Sequence, residues 1–251
     1  MDDLLENRCS DLNTAISRLS LLSAHDALIL LKMSFSAPRM LHTLRCSPCV
    51  NHSCLAMFDS LLRKGMDPIC NIDLTDIQWL QASLPVKDGG LGVRRISSLA
   101  FSAFLASAAA TDKLQHQLLF HSSIAGTTPV SMVKDATDCP TGPAETKQST
   151  WDRVATASER QGVTSSLSDA TGKARLHAVS SPHRDDWLHA LPLSGCGLRL
   201  DDRAIHIAVG LRLGANICEP HQCPCGASVD ARGLYGLWCR GATVALRGIT
   251  V

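Results

Sequence analysis

Between Cys218 and Cys239 the chain reads C-E-P-H-Q-C-P-C-G-A-S-V-D-A-R-G-L-Y-G-L-W-C, which puts Cys218, Cys223, Cys225, Cys239 and His221 into one short loop-rich stretch. Such a segment either closes around a metal ion or leaves reduced, half-buried thiols in a loop. Zinc takes four sulfur or nitrogen ligands in a tetrahedron. The segment therefore offers enough donors for one zinc ion without specifying which four bind. Gly226 follows the tight Cys223-Pro224-Cys225 pair, where a residue without Cβ takes the positive φ that turns backbone amides toward a thiolate. Gly233 and Gly236 bracket the return to Cys239.

The chain has 251 residues, enough for one large domain or two small ones. A 45% hydrophobic content and a positive mean hydropathy predict a folded protein. Aromatic residues make up only 4%, with one tyrosine, so a surface that grips single strands by stacking has few platforms. With 24 Lys and Arg against 23 Asp and Glu, any affinity for polyanions must come from local patches. The eleven cysteines and the acidic opening M-D-D-L-L-E predict a reducing intracellular compartment, nuclear or cytoplasmic. The longest apolar run, Leu99 to Ala110, falls short of the ~20 residues a membrane span needs, so no membrane association is expected.

Leu5, Leu12, Ile16 and Leu19 recur at helical spacing behind Asp2, Asp3 and Glu6, predicting an amphipathic first helix. Ser23 with Asp26 reads as a capping box for a second helix, Ala27 to Phe35, antiparallel to the first and stopped by Pro38. A second dense group, Cys46, Cys49, His52 and Cys54, surrounds Asn51, which reads as the N-cap of a helix carrying Leu55, Phe58 and Leu62 and ending at Gly65. That cap points His52 and Cys54 to different sides and favours packed thiols over a metal. Thr75 caps a helix through Ile77, Trp79 and Leu80. The following L-P-V-K-D-G-G-L-G-V-R-R demands a tight reversal. No strand precedes its glycines and no G-K-[ST] follows, so it is a connection rather than a phosphate cradle. Ser97 opens a nearly all-apolar helix, expected at the centre of its domain.

Ser, Thr, Pro and Gly dominate the stretch from Ser122 to Thr150, which reads as a flexible linker. Short helices are expected at Trp151 to Glu159 and Lys173 to Val179, and Trp187 and Leu188 look like anchors of a small second core. Asp201 or Asp202 caps a last helix through Ile205, Ile207, Val209 and Leu211, closed by Gly214. Capping accounts for those two aspartates better than a two-metal site, which needs a third carboxylate. Asp185 and Asp186 beside His183 read as exposed loop charges. The predicted fold is mainly α: a helical domain over 1–121, a linker over 122–150, a small helical region over 151–214 and a Cys-rich tail over 215–251.

Taken together, H-D-A-L-I-L-L-K (His25 to Lys32), L-R-C-S-P-C (Leu44 to Cys49), W-L-Q-A-S-L-P-V-K-D-G-G-L-G-V-R (Trp79 to Arg94), W-L-H-A-L-P-L-S-G-C-G-L (Trp187 to Leu198) and A-V-G-L-R-L-G with the cysteine loop after it resemble one family. That family is the reverse transcriptases of LINE-type, non-long-terminal-repeat retrotransposons, in the part beyond the polymerase palm. The resemblance implies a thumb-like helical domain followed by a zinc-knuckle-like element with one zinc ion. No Y-A-D-D is present, so the chain is expected to begin downstream of the catalytic aspartates and to end before any endonuclease signature. It is then non-catalytic alone, without magnesium, its palm supplied by another chain if at all. The family's order of a close cysteine pair, His and Cys lands on Cys223, Cys225, position 235 and Cys239, and position 235 is Tyr235. A neutral phenol is a poor zinc ligand, so His221 or Cys218 is needed for the fourth place. Binding of RNA or an RNA–DNA hybrid is expected through Arg39, Arg45, Arg63, Lys64, Arg94 and Arg95. The alternatives are a zinc-stabilised protein-interaction module or a decayed relic without selected activity.

Overall fold

The computed structural model describes residues 1–120 and 147–239, and these are mainly helical. Helix α1 (Asp2–Leu19) buries Leu5, Cys9, Leu12, Ala15 and Leu19, one stripe at helical spacing. This stripe lies against α4 (Ser53–Cys70), which buries Leu55, Phe58, Leu62, Met66 and Ile69. The main partner of α1 is thus α4 rather than the helix next in sequence. Gly65 does not end α4 but marks its crossing with α1: a Cβ there would stand 2.9 Å from the Ile16 side chain. The helix stops at Asn71, in the left-handed region at φ 52°.

The second helix, α2 (Ala24–Leu30), runs into a π-helical turn, Leu31–Phe35. Pro38 does not stop it. It sits instead in the first turn of α3 (Ala37–Cys46), where a missing N–H costs nothing. Ser23 donates to Asp26 Oδ2 at 2.5 Å, and the end of α2 is held from afar by Asp202, whose Oδ1 accepts from the Ala24 N–H at 2.7 Å. The cap of α4 is His52 rather than Asn51: its Nδ1 accepts from the Cys54 N–H at 3.2 Å, while Asn51 takes φ 64°.

Thr75 caps α5 (Asp76–Ala82) as expected, and Gln78 turns that cap into a reciprocal capping box. Leu84 to Arg95 forms the expected reversal, with Gly89 at φ 91° and Gly92 at φ 78°. Gly90 is required for a different reason, since a Cβ there would lie 2.0 Å from the Leu84 carbonyl oxygen. Helix α6 (Ile96–Phe120) packs on α3 and α4 and on α7 (Gln148–Ser166). Its first turn is capped by buried Asp59 of α4, which accepts from the Ile96 N–H at 2.6 Å and the Ser97 N–H at 3.2 Å. Burial pushes the Asp59 carboxyl above the usual range, against those hydrogen bonds.

Most of the expected linker, residues 122–146, lies outside the described residues. Its last residues do not fit that reading, because α7 already begins at Gln148. Serine and threonine disfavour a helix only weakly, and here tertiary contacts decide: Val163 of α7 is buried with Leu84 and with Leu176 of α8 (Ala170–Val179). Leu188 does not found a second core. It is buried together with Ile205, Val209 and Leu213 of α9 (Asp202–Leu213) in the core that α1 to α6 build. Among the described residues no helix is long and apolar enough to cross a membrane.

One buried cation ties these pieces together. Arg212, 3% exposed, donates from Nε to the Gly90 carbonyl at 2.9 Å, from Nη2 to Val86 at 2.7 Å and from Nη1 to Arg184 at 3.2 Å. The Arg212 carbonyl accepts from Gln81 Nε2 at 3.0 Å and from Arg175 Nη1. Gln81 also donates to the Gly89 carbonyl at 3.0 Å, and its own oxygen accepts from Arg175 Nη2 at 3.0 Å. Nearby, Lys32 Nζ donates to the Leu188 carbonyl at 2.7 Å, and burial, then the Arg212 charge, lowers its affinity for a proton.

Replacing Arg212 by Ala strips buried carbonyls of their donors and is expected to cost at least about 3 kcal/mol of stability, read by urea unfolding. Gly90→Ala is expected to destabilise by a similar or larger amount, whereas Gly236→Ala, with open space around its Cβ position, changes the midpoint little.

Candidate metal centre

Helix α9 ends at Gly214, in the left-handed region at φ 68°. Buried His206 on α9 fixes the exit from this helix: its Nδ1 faces the Cys70 carbonyl at 3.0 Å and its Nε2 the Ile217 carbonyl at 3.1 Å. Beyond it the strands β1 (His221–Gln222) and β2 (Ser228–Val229) pair antiparallel, His221 opposite Val229. Cys223 N–H donates to Ala227 and Gly226 N–H to Cys223, so the loop between the strands closes on itself with Gly226 at φ 87°. A 3-10 turn, Leu234–Leu237, then returns Cys239 to the hairpin, with the Cys239 N–H donating to the Tyr235 carbonyl at 3.1 Å.

This path brings three of the five expected donors together. The sulfurs of Cys223, Cys225 and Cys239 all lie within 4.8 Å of one another. Cys223 and Cys239 are 3.6 Å apart, and Cys225 and Cys239 are 3.8 Å apart. With Zn–S bonds of about 2.3 Å, the edge of a tetrahedral thiolate site is about 3.8 Å. The trio therefore matches the spacing of a shared metal ion, and it could hold one.

The other two donors turn away. Cys218 Sγ points to the Asp230 carbonyl at 3.3 Å and the Ala231 carbonyl at 3.6 Å, and burial pushes its thiol up. His221 Nδ1 donates to the Glu219 carbonyl at 2.8 Å. Both nevertheless line a small cavity of about 100 Å³ shared with Cys223 and Tyr235. The group that meets the sulfurs directly is Tyr235, whose hydroxyl donates to Cys225 Sγ at 3.1 Å. That bond is the main reason the Cys225 thiol falls to about 7, and it raises the Tyr235 phenol in turn.

The second cysteine group does not assemble. Cys49 and Cys54 are buried apart from exposed Cys46, whose sulfur lies 3.7 Å from His42 Nε2. His52 Nε2 meets Asp2 at 2.8 Å instead. Asp201 caps α9 by accepting from the Ala204 N–H at 2.7 Å, as its position suggested.

The cations expected to meet a nucleic-acid backbone are mostly engaged within the chain. Arg39 pairs with Asp11 at 2.9 Å, Arg63 with Asp76 at 2.6 Å and Arg94 with Asp152 at 2.6 Å, while Arg95 pairs with Glu159. Arg45 donates to Gln148 Oε1 at 3.1 Å. Lys64 is exposed. Arg94 and Arg95, only partly exposed, serve to clamp α7 against the start of α6. Sequence reasoning missed Arg212, Arg175 and Gln81 as positioning groups. For Arg212 a signal existed: it continues the buried spacing of Ile205 and Val209. No family model, curated protein or solved structure matches this chain.

In the metal-free protein, alkylation of Cys225 by iodoacetamide is expected to accelerate as pH rises through about 7, where its thiolate forms. In Tyr235→Phe the donor is lost, and the same rise moves toward the ordinary thiol value of about 8.5. Peptide-resolved mass spectrometry separates Cys225 from exposed Cys46 and Cys196.

Proposed function

We propose that this chain is a zinc-clasped, mainly helical portion of a non-long-terminal-repeat retrotransposon reverse transcriptase, taken from beyond the palm. By itself it is non-catalytic and supports an RNA or RNA–DNA hybrid. The observation that carries the reading is the meeting of the resembling segments. Lys32, Gln81, the Val86–Gly90 turn, Leu188 and Arg212 come from four separate stretches of that resemblance; Gln81, the turn and Arg212 interlock through shared hydrogen bonds, and Lys32 binds the Leu188 carbonyl within reach of the Arg212 charge. That meeting supports reading the resembling segments as parts of one structural unit. The cysteine hairpin follows directly from that unit, in the family's order. Zinc is the ion of choice because three thiolates favour a soft or borderline cation with no redox demand. His221 and Cys218, on the cavity beside the sulfurs, are the donors within reach for the fourth place, and Tyr235 the group already there.

A second reading, a zinc-stabilised protein-interaction module, draws on a specific observation. Leu237 and Trp238, each 65% exposed, sit beside Cys239, and the expected phosphate contacts are largely paired internally.

Native mass spectrometry of gently purified protein is expected to show one zinc ion, released by chelator or by Cys223→Ser. Fluorescence anisotropy is expected to show a labelled RNA–DNA duplex retained with affinity that falls steeply with salt. Zinc without duplex retention selects the interaction module. Neither zinc nor retention overturns both.

A further inference from the structure

With most of its expected phosphate contacts occupied, the chain needs another surface if it is to hold a polyanion. One lies between the turn after α5 and the outer face of α7. There Pro85, Lys87 and Asp88 face Ser149, Arg153, Arg160, Gln161 and Thr164 across an open groove of about 750 Å³. Arg153 and Arg160 stand two helical turns apart on the same side of α7, separated by about 10 Å of axis, with Lys87 opposite them. No ion pair engages Lys87, Arg153 or Arg160 among the described residues.

Of the two acids on the groove wall, Asp152 is neutralised by Arg94 at 2.6 Å and accepts from the Thr156 hydroxyl at 3.4 Å. With Asp152 paired to Arg94, Asp88 is the remaining acid set against Lys87, Arg153 and Arg160, although the Asp152 charge also attracts Lys87. On a chain whose formal net charge is only +1, this groove holds a local excess of positive charge. Its remaining donors, Ser149, Gln161 and Thr164, are neutral hydroxyl and amide groups, and no aromatic side chain lines it.

We propose that this groove is the nucleic-acid contact of the chain, holding the phosphodiester backbone through Lys87, Arg153 and Arg160. The proposal rests on the nucleic-acid reading above and relocates its contacts from the internally paired arginines to α7. Phosphate contacts carry affinity and register without sequence information. Without aromatic platforms the groove gains nothing from unstacked bases, so binding is independent of sequence and shows no preference for single strands. From Ser149 to Thr164 the helix runs about 22 Å, enough to follow several successive phosphates of one strand.

The test compares the full chain with a groove variant, Lys87→Gln, Arg153→Gln, Arg160→Gln, and with a control carrying the same charge change elsewhere, Arg18→Gln, Lys173→Gln, Arg203→Gln. Circular dichroism confirms that all three are folded, and anisotropy follows a labelled RNA–DNA duplex over a salt series. The groove variant is expected to bind at least about tenfold more weakly and to lose about 2 to 3 from the slope of log K against log salt. The control is expected to change affinity by less than about threefold. If both variants weaken equally, the groove is not the contact, although the nucleic-acid reading stands. If the unaltered chain retains no duplex, that reading fails and the groove proposal falls with it. Tighter binding of a single strand than of the duplex also overturns the proposal, since the groove offers nothing for bases to stack on.

Discussion

A guanidinium buried against main-chain carbonyls is the constraint on which the arrangement of this chain depends. Among the described residues no carboxylate pairs with Arg212 within hydrogen-bonding distance, although the Asp185 charge reaches it. Arg212 donates to the carbonyls of Gly90, Val86 and Arg184. A buried cation is tolerated only where its hydrogen-bonding capacity is met, so the Val86–Gly90 turn and the chain at Arg184 must both come to α9. The turn can do so because Gly90 lets its backbone pass against the Leu84 carbonyl. Gln81 and Arg175 then meet at the Arg212 carbonyl, near the C-terminal end of α9, where the last carbonyls of a helix lack intrahelical donors. Helix pairs that hydrophobic burial alone would leave free to slide acquire a defined position.

The same logic places the cysteine hairpin. It is small, with a sulfur-rich cluster and only Val229 as a buried aliphatic among its strands, too little apolar surface to fold alone. Its position is set by groups outside it: the Ile217 carbonyl faces His206, and Gln78 donates to the Gly214 carbonyl at 3.0 Å. Metal capture would therefore tighten a loop already anchored to the helices, rather than create that loop from an unfolded segment as in an isolated zinc finger.

Local signals were legible in the sequence where the chemistry was local. The Thr75 cap, the Asp201 cap, the reversal after Leu84 and the buried stripe of α1 each follow from residues a few positions apart. What failed to show were interactions between distant residues. Asp202 caps α2 and Asp59 caps α6 from other helices, so no spacing rule could find them. Pro38 was ambiguous because the same missing N–H that ends one helix begins the next. At the candidate site, density of thiols marked the segment in which Cys223, Cys225 and Cys239 come together. Cys218 and His221 have the right chemistry, but the hairpin directs them to carbonyls of their own loop. The arginines Arg94 and Arg95 looked available only because their partners Asp152 and Glu159 lie on a helix more than fifty residues away.

The role of Tyr235 follows from where it stands. A phenol 3.1 Å from Cys225 stabilises a thiolate there by donating to it. For a metal ion the hydrogen bond prepares one ligand, while the neutral phenol is itself a poor one. An imidazole at this position would supply a better donor. With tyrosine there, completion needs His221 or Cys218 to leave its carbonyl partner and cross the cavity it shares with the ring. Each such exchange gives up a hydrogen bond worth about 1 kcal/mol net, small beside the roughly 10 kcal/mol or more that a structural zinc site contributes. Giving up that hydrogen bond is therefore no barrier to a fourth ligand from His221 or Cys218.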